Sequence, residues 1–193
     1  MSHRADRFTA VLDTDVLVAV LVRNTLLTLA EAGFYRARWS DVTLDEFTRV
    51  LPRANPEVSP ETALRQRNRM TIAFPEGMVE VDAQLIAALT LPDPDDRHVL
   101  AAAIMSRAGV IVSNNLKDFP AVTLDRYGIT CLSADDFCAD CLDLGDAEAV
   151  AAIRTMRLRF QKPEIDGQDL IRRYERCGMG QTANLLQAFL PLL

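Results

Sequence analysis

The chain has 193 residues, of which 49% are hydrophobic and 25% charged, with a formal net charge of −6. Those values suit one folded domain, with at most a small appendage, and exclude a disordered chain. They argue against a nucleic-acid binder that relies on overall positive charge, but not against an enzyme whose acidic cluster holds cations beside a local basic rim.

Aromatic content is only 6%; aliphatic residues and alanine carry the apolar load, which suits helices packed on a sheet. The longest apolar run, residues 16–22, is closed by Arg23 and is too short to cross a bilayer. It follows two aspartates, unlike a signal peptide. The expectation is a cytoplasmic protein with no membrane association. Cys131, Cys138, Cys141 and Cys177 read as free thiols of a reducing compartment. Cys138-Ala-Asp-Cys141 has zinc-knuckle spacing but no histidine beside it, so it reads as structural.

Taken in order, residues 8–12 form a short apolar run that predicts a buried strand ending at Asp13. Residues 16–33 predict helix, capped by Gly33, and residues 37–39 a second strand. Residues 41–51 predict a helix with Leu44, Phe47, Val50 and Leu51 as its apolar stripe and Glu46 beside it; Pro52 and Pro56 should end it. Ser59-Pro60 predicts the start of another helix, residues 78–81 a strand, and residues 83–89 a short helix. Asp93-Pro-Asp-Asp96 is a proline-bounded turn opening an alanine-rich helix to about residue 107, with Asp95 as its cap and Gly109 closing it. Residues 110–113 are the clearest strand, followed by the polar turn 114–120, a helix over 122–127, a strand over 129–132, and a helix from the Ser133 cap to about 144.

This alternation predicts an α/β fold with a central parallel sheet flanked by helices. From about residue 146 no strand-like run remains. The chain is therefore expected to divide into a domain over 1–145 and a C-terminal helical extension over 146–193. Arg65, Arg67 and Arg69 form one basic cluster, and Arg154, Arg157, Arg159 and Lys162 another.

In parallel sheets, sites form at the carboxyl ends of strands. Asp13 and the 114–118 turn occupy such ends, and the Asp93–Asp96 turn opens a helix whose N-terminus favours anions. Carboxylates converging on one point repel one another unless a cation sits among them, and hard oxygen ligands suit Mg²⁺ or Mn²⁺. Such an ion can activate water for attack on a phosphodiester without a positioned histidine. That matters in a chain with only His3 and His98.

The residues around Asp13, Glu46 in an early helix, Asp95-Asp96-Arg-His-Val-Leu-Ala-Ala-Ala, and Ile111-Val-Ser-Asn-Asn-Leu-Lys-Asp-Phe-Pro120 resemble, in order and spacing, the PIN-domain nucleases. Many of those are toxins of the VapC type from toxin–antitoxin pairs. The resemblance covers about residues 8–140. It implies a PIN-like three-layer α/β fold and a Mg²⁺- or Mn²⁺-dependent endoribonuclease. Asp13, Glu46, Asp96 and Asp118 match the family's four acids, as metal-holding and catalytic residues. Asn115 stands where some members carry an aspartate. Asp15 replaces a frequent asparagine. Asp15, Asp95, Ser113 and Asn115 would support the ligands or touch substrate, with Asp93 able to assist, and Arg65, Arg67 and Arg69 would grip the RNA backbone. The resemblance further implies a homodimer, a small antitoxin that blocks the site, and structured RNA, commonly tRNA, as substrate.

Two other readings compete. A phosphatase of the haloacid dehalogenase type would use Asp13 as nucleophile, Asp15 as acid–base, Ser113 for phosphate and Asp135-Asp136 as a late metal pair. It leaves Glu46 and the Asp93–Asp96 turn without roles. A catalytically silent RNA- or protein-binding domain on the same fold is the second.

Overall fold

The structure is a computed structural model, described at residues 8–161 and 163–193; His3 and Lys162 lie outside the described residues. In chain order the elements are β1 (Thr9–Leu12), α1 (Thr14–Val18), α2 (Val20–Ala32), β2 (Arg36–Ser40), α3 (Asp41–Ala54), α4 (Pro60–Ala73), β3 (Met78–Val79) and α5 (Ala83–Ala88). They continue with α6 (Arg97–Ser106), β4 (Val110–Val112), α7 (Ala121–Leu124), β5 (Thr130–Leu132), α8 (Ala134–Leu144), α9 (Asp146–Leu158), α10 (Gly167–Arg176) and α11 (Gly180–Gln187). Short 3₁₀ turns at Pro94–Asp96 and Leu116–Asp118 precede α6 and follow β4.

Local chemistry sets most boundaries. Ser40, Ser59 and Ser133 each accept from the N–H three residues on, so α3, α4 and α8 begin where those hydroxyls satisfy an orphan donor. Gly33 closes α2 in the left-handed region at φ 89°.

The helix expected over 16–33 is two helices parted at Ala19, whose backbone is extended, and the strand expected over 78–81 is only Met78–Val79; three further boundaries differ from the sequence reading. Pro52 does not end α3; it sits in the last turn, where it removes one donor while Asn55 N–H still bonds Leu51 O at 2.9 Å. Gly109 does not cap α6. Arg107 takes the left-handed position at φ 53°, and Ala108 N–H reaches back to Ala103 O, because Gly109 is already bonded into the sheet through Thr9 O and Thr130 N–H. The turn before α6 is capped by Asp93, not Asp95: Asp93 Oδ1 accepts from Asp95 N–H at 2.9 Å.

The chain forms two compact units, one over residues 1–18 with 36–132 and the other over 19–35 with 133–193. In this grouping α8 belongs with the C-terminal helices. The first unit holds a five-stranded, all-parallel sheet in the order β3-β2-β1-β4-β5. Strands are added outward from β1 on one side as β2 and β3, then on the other side as β4 and β5. The switch point therefore lies between β1 and β4, where Val11 pairs with Ile111 and Leu12 with Val112. A crevice beyond the carboxyl ends of two such strands is where open parallel sheets bind ligands. The alanine run of α6 lies fully buried against Val11 and Ile111, joined by Leu100, Phe119 and Ile129. Small side chains let that helix approach the sheet closely, and each fully buried leucine or valine contributes about 1.5–3 kcal/mol. This packing fixes the start of α6 and hence Asp96.

The second unit is helical. Thr25 Oγ1 and Tyr174 Oη lie 2.7 Å apart in its core, and Tyr35 packs edge-on against Phe137. Arg157 donates to Leu193 O at 2.7 Å and to Ile165 O, tying down the last residues. Among the described residues no helix is long and apolar enough to cross a membrane.

Candidate functional site

Asp13 follows β1 directly and is buried. Its Oδ1 accepts from Thr14 N–H at 2.6 Å and its Oδ2 from Ser113 Oγ at 2.8 Å. Ser113 comes from the equivalent end of β4 and also accepts from Asn115 N–H at 3.1 Å. Burial, with the charge of Asp15 next, pushes the Asp13 carboxyl up to about 7, against the hydrogen bonds that favour its charged form. Asp15 opens α1. Its Oδ2 accepts from Asn114 N–H at 2.8 Å, whereas its Oδ1 is buried with no hydrogen-bond partner. Burial raises its pKa as well.

The second group centres on Asp96. It stands at the N-terminus of α6, but its side chain makes no capping bond, because Asp93 has taken the turn's capping role. Asp93, Asp96 and Asp118 each offer one carboxylate oxygen within 4.8 Å of the others. Burial first, then the charges of Asp93, Asp118, Glu46 and Asp15, lift Asp96 to about 6. Asp118 ends the 3₁₀ turn after β4, is buried, and accepts from Asn115 Nδ2. Glu46, midway along α3, accepts from Thr14 Oγ1 at 2.7 Å and lies 3.8 Å from His98 Nε2.

Four separated stretches of sequence thus bring Asp13, Asp15, Glu46, Asp93 and Asp118 within electrostatic reach of Asp96, and of these Asp93 and Asp118 join it in the group within 4.8 Å. Asp95 is different: it is exposed, and its backbone serves Asp93. Ser113 and Asn115 support Asp13 and Asp118 respectively. Of the three arginines, Arg67 is held between Asp41 at 2.9 Å and Asp45 at 3.0 Å, and Arg65 donates to Thr62 Oγ1 at 2.6 Å. Arg69 is exposed. Sequence reasoning missed Thr14, which links Asp13 to Glu46, and gave no role to His98, which is buried beside Glu46. A polar residue directly before the Val-Leu-Ala-Ala-Ala run was the available signal, since buried polar groups require partners.

The donor set fits a hard divalent cation. All groups are carboxylate oxygens, one of them an orphaned buried Oδ1, and burial first, with their crowding second, raises two carboxyls far above the usual range. The Asp135-Asp136 pair, by contrast, is spent within the helical unit: Asp135 accepts from Gln181 N–H, Thr182 N–H and Thr182 Oγ1, and Asp136 from Ser133 Oγ and Gln181 Nε2. That leaves the phosphatase reading without its late metal pair.

A five-stranded parallel sheet flanked by helices, with carboxylates gathered near its switch point, defines an α/β domain, and the chain belongs to the PIN-domain family, which residues 9–117 match. Residues 134–188 match the VapC50 C-terminal domain. The chain is 46% identical over 104 residues to the "Putative ribonuclease VapC50" of Mycobacterium tuberculosis (strain ATCC 25618 / H37Rv), over 54% of this chain and 59% of that protein. The chain therefore spans well under two thirds of that relative's length. No solved structure matches it.

Proposed function

We propose that this protein is a divalent-metal-dependent endoribonuclease and the toxin half of a toxin–antitoxin pair, with Asp13, Glu46, Asp96 and Asp118 holding Mg²⁺ or Mn²⁺. The observation that carries the reading is the convergence on Asp96 of carboxylates from the end of β1 and the start of α1, from α3, from its own turn and from the turn after β4. Similarity to a relative whose name says ribonuclease supports the same activity.

The chain's own residues divide the work. Thr14 N–H and Ser113 Oγ fix the two oxygens of Asp13, Asn115 orients Asp118, and Thr14 Oγ1 orients Glu46. A bound cation would lower the pKa of a water and stabilise charge on the departing oxygen of the phosphodiester. Asp15 and Asp93 add negative charge that strengthens cation binding. Arg65 and Arg69 on α4 would contact RNA phosphates, with Arg67 largely committed to Asp41 and Asp45. Structured RNA such as tRNA, a small antitoxin that covers the carboxylates, and a homodimer complete the proposal.

The test is RNA cleavage by the full chain with Mn²⁺, with EDTA, and in Asp13→Asn and Asp96→Asn. Cleavage should require the metal and collapse in both variants. Activity that survives EDTA or both substitutions would overturn the metal-site reading, and RNA binding without cleavage at any metal concentration would favour the silent domain.

A further inference from the structure

Behind Glu46 lies a set of buried polar groups of which the four-acid site uses only Thr14. Ser40, Thr43, Thr14 and His98 are each at most 6% exposed. Burying such groups is unfavourable unless each finds a partner. His98 Nδ1 faces two hydroxyls, Thr43 Oγ1 at 3.4 Å and Ser40 Oγ at 3.5 Å, which are themselves 3.1 Å apart. Ser40 Oγ already accepts from Thr43 N–H at 3.2 Å. On its other edge, His98 Nε2 faces Glu46 Oε2 at 3.8 Å, the same oxygen that accepts from Thr14 Oγ1.

For a neutral ring the hydrogen bonds have one self-consistent direction. A carboxylate oxygen only accepts, so Thr14 Oγ1 donates to it and Nε2 must carry a hydrogen to join it. Nδ1 is then an acceptor, which two neighbouring hydroxyls can satisfy and no carbonyl could. From this we propose that His98 is a positioning residue: as the Nε2–H tautomer it orients the Glu46 carboxylate toward the acidic cluster, relaying the Ser40–Thr43 hydroxyl pair. The inference rests on the metal-site reading above. At 3.8 Å the Nε2–Oε2 approach is longer than a hydrogen bond, and a shift of the Glu46 tip by about 1 Å closes it.

The first measurement uses the metal-free full chain. A long-range ¹⁵N–¹H spectrum at neutral pH should show His98 with Nε2 protonated and Nδ1 bare, assigned by comparison with His98→Gln; an Nδ1–H tautomer or an imidazolium overturns the proposal. The second follows Mn²⁺ binding by the electron paramagnetic resonance of the free ion. His98→Ala should weaken binding about 10–100-fold, the range for partners that orient metal ligands, and His98→Gln, which keeps an N–H donor, should recover part of the loss. Affinity in His98→Ala within about twofold of the unmodified chain overturns the proposal while leaving the metal site intact. No Mn²⁺ binding by the unmodified chain sinks the metal reading itself, and this inference with it. Where His98→Ala does not fold, Thr43→Val decides: it should reduce the Nε2–H population, and an unchanged spectrum counts against the relay.

Discussion

Two aspartate groups open helices in this protein, and they are used in opposite ways. Asp135 and Asp136 begin α8, and the oxygens they present are answered by N–H and O–H donors of Ser133, Gln181 and Thr182. Asp96 begins α6 without making a capping bond, and its strongest neighbours are other carboxylates. The first group is complete as protein alone; the second is charge-crowded until something positive joins it. An acidic helix start is thus not a site in itself. What distinguishes a site is the failure of the surrounding chain to neutralise it, seen here in the orphaned Asp15 Oδ1 and in two carboxyls raised to about 7 and about 6.

The sharpest way to break this comparison is to exchange the fates of the two groups. Asp96→Asn should lower metal-dependent RNA cleavage by at least about 100-fold, beyond the usual loss from disturbing a ligand's supporting partner, with little change in folding. Asp135→Ala should leave the cleavage rate within about twofold and instead cost about 1–2 kcal/mol of stability, since it removes the cap of α11. Thermal melts and cleavage rates of both variants read this directly. A rate loss in Asp135→Ala that matched that of Asp96→Asn would erase the distinction.

The next effect is a dependence of stability on pH. The Asp13 carboxyl is raised from 3.8 to about 7 in the folded chain, so the folded state holds that proton more tightly than the unfolded one. Its stabilising contribution is full below the unfolded value and is lost as pH rises through about 7. Asp96, raised to about 6, acts in the same direction. In EDTA the melting midpoint should therefore fall between pH 5 and pH 8, and Asp13→Asn should flatten that fall. Mn²⁺ should reverse the trend, because it binds the ionised carboxylates and stabilises the folded state most at the higher pH. A midpoint in EDTA that rises with pH over this window would contradict the crowded-carboxylate picture.

Much of this contrast was legible before the fold was known. The strand ending at Asp13, the Ser59 and Ser133 caps and the alanine-rich helix after the acidic turn follow from local patterning, which anticipates the parallel sheet, whereas the grouping of Asp13, Asp96 and Asp118 came from the resemblance to the PIN-domain nucleases. What local patterning could not supply was the division of labour inside the turn. Whether Asp93 or Asp95 caps depends on a 3₁₀ start that differs from an α start by a fraction of a turn. The network around His98 was out of reach because its partners, Ser40, Thr43 and Glu46, are more than fifty residues away in the chain. The grouping of residues 19–35 with the C-terminal helices is likewise a long-range pairing with no local signature.

The smallest expected effect carries the comparison over to cations. Arg67 is already answered by Asp41 and Asp45, as Asp135 is answered by its donors, whereas exposed Arg69 holds no carboxylate among the described residues. A phosphate on RNA must compete with two carboxylates for Arg67 but with water alone for Arg69. Arg69→Ala should thus weaken RNA binding modestly and reduce the slope of log affinity against log salt by about 0.7, the loss of one phosphate contact to single-stranded RNA. Arg67→Ala should leave that slope nearly unchanged and cost no more than about 1 kcal/mol of stability, since its ion pairs lie near the surface. Filter binding at several salt concentrations separates the two. A larger slope change for Arg67 than for Arg69 would mean that RNA displaces the carboxylates, and that pairing within the free protein does not decide which arginines meet substrate.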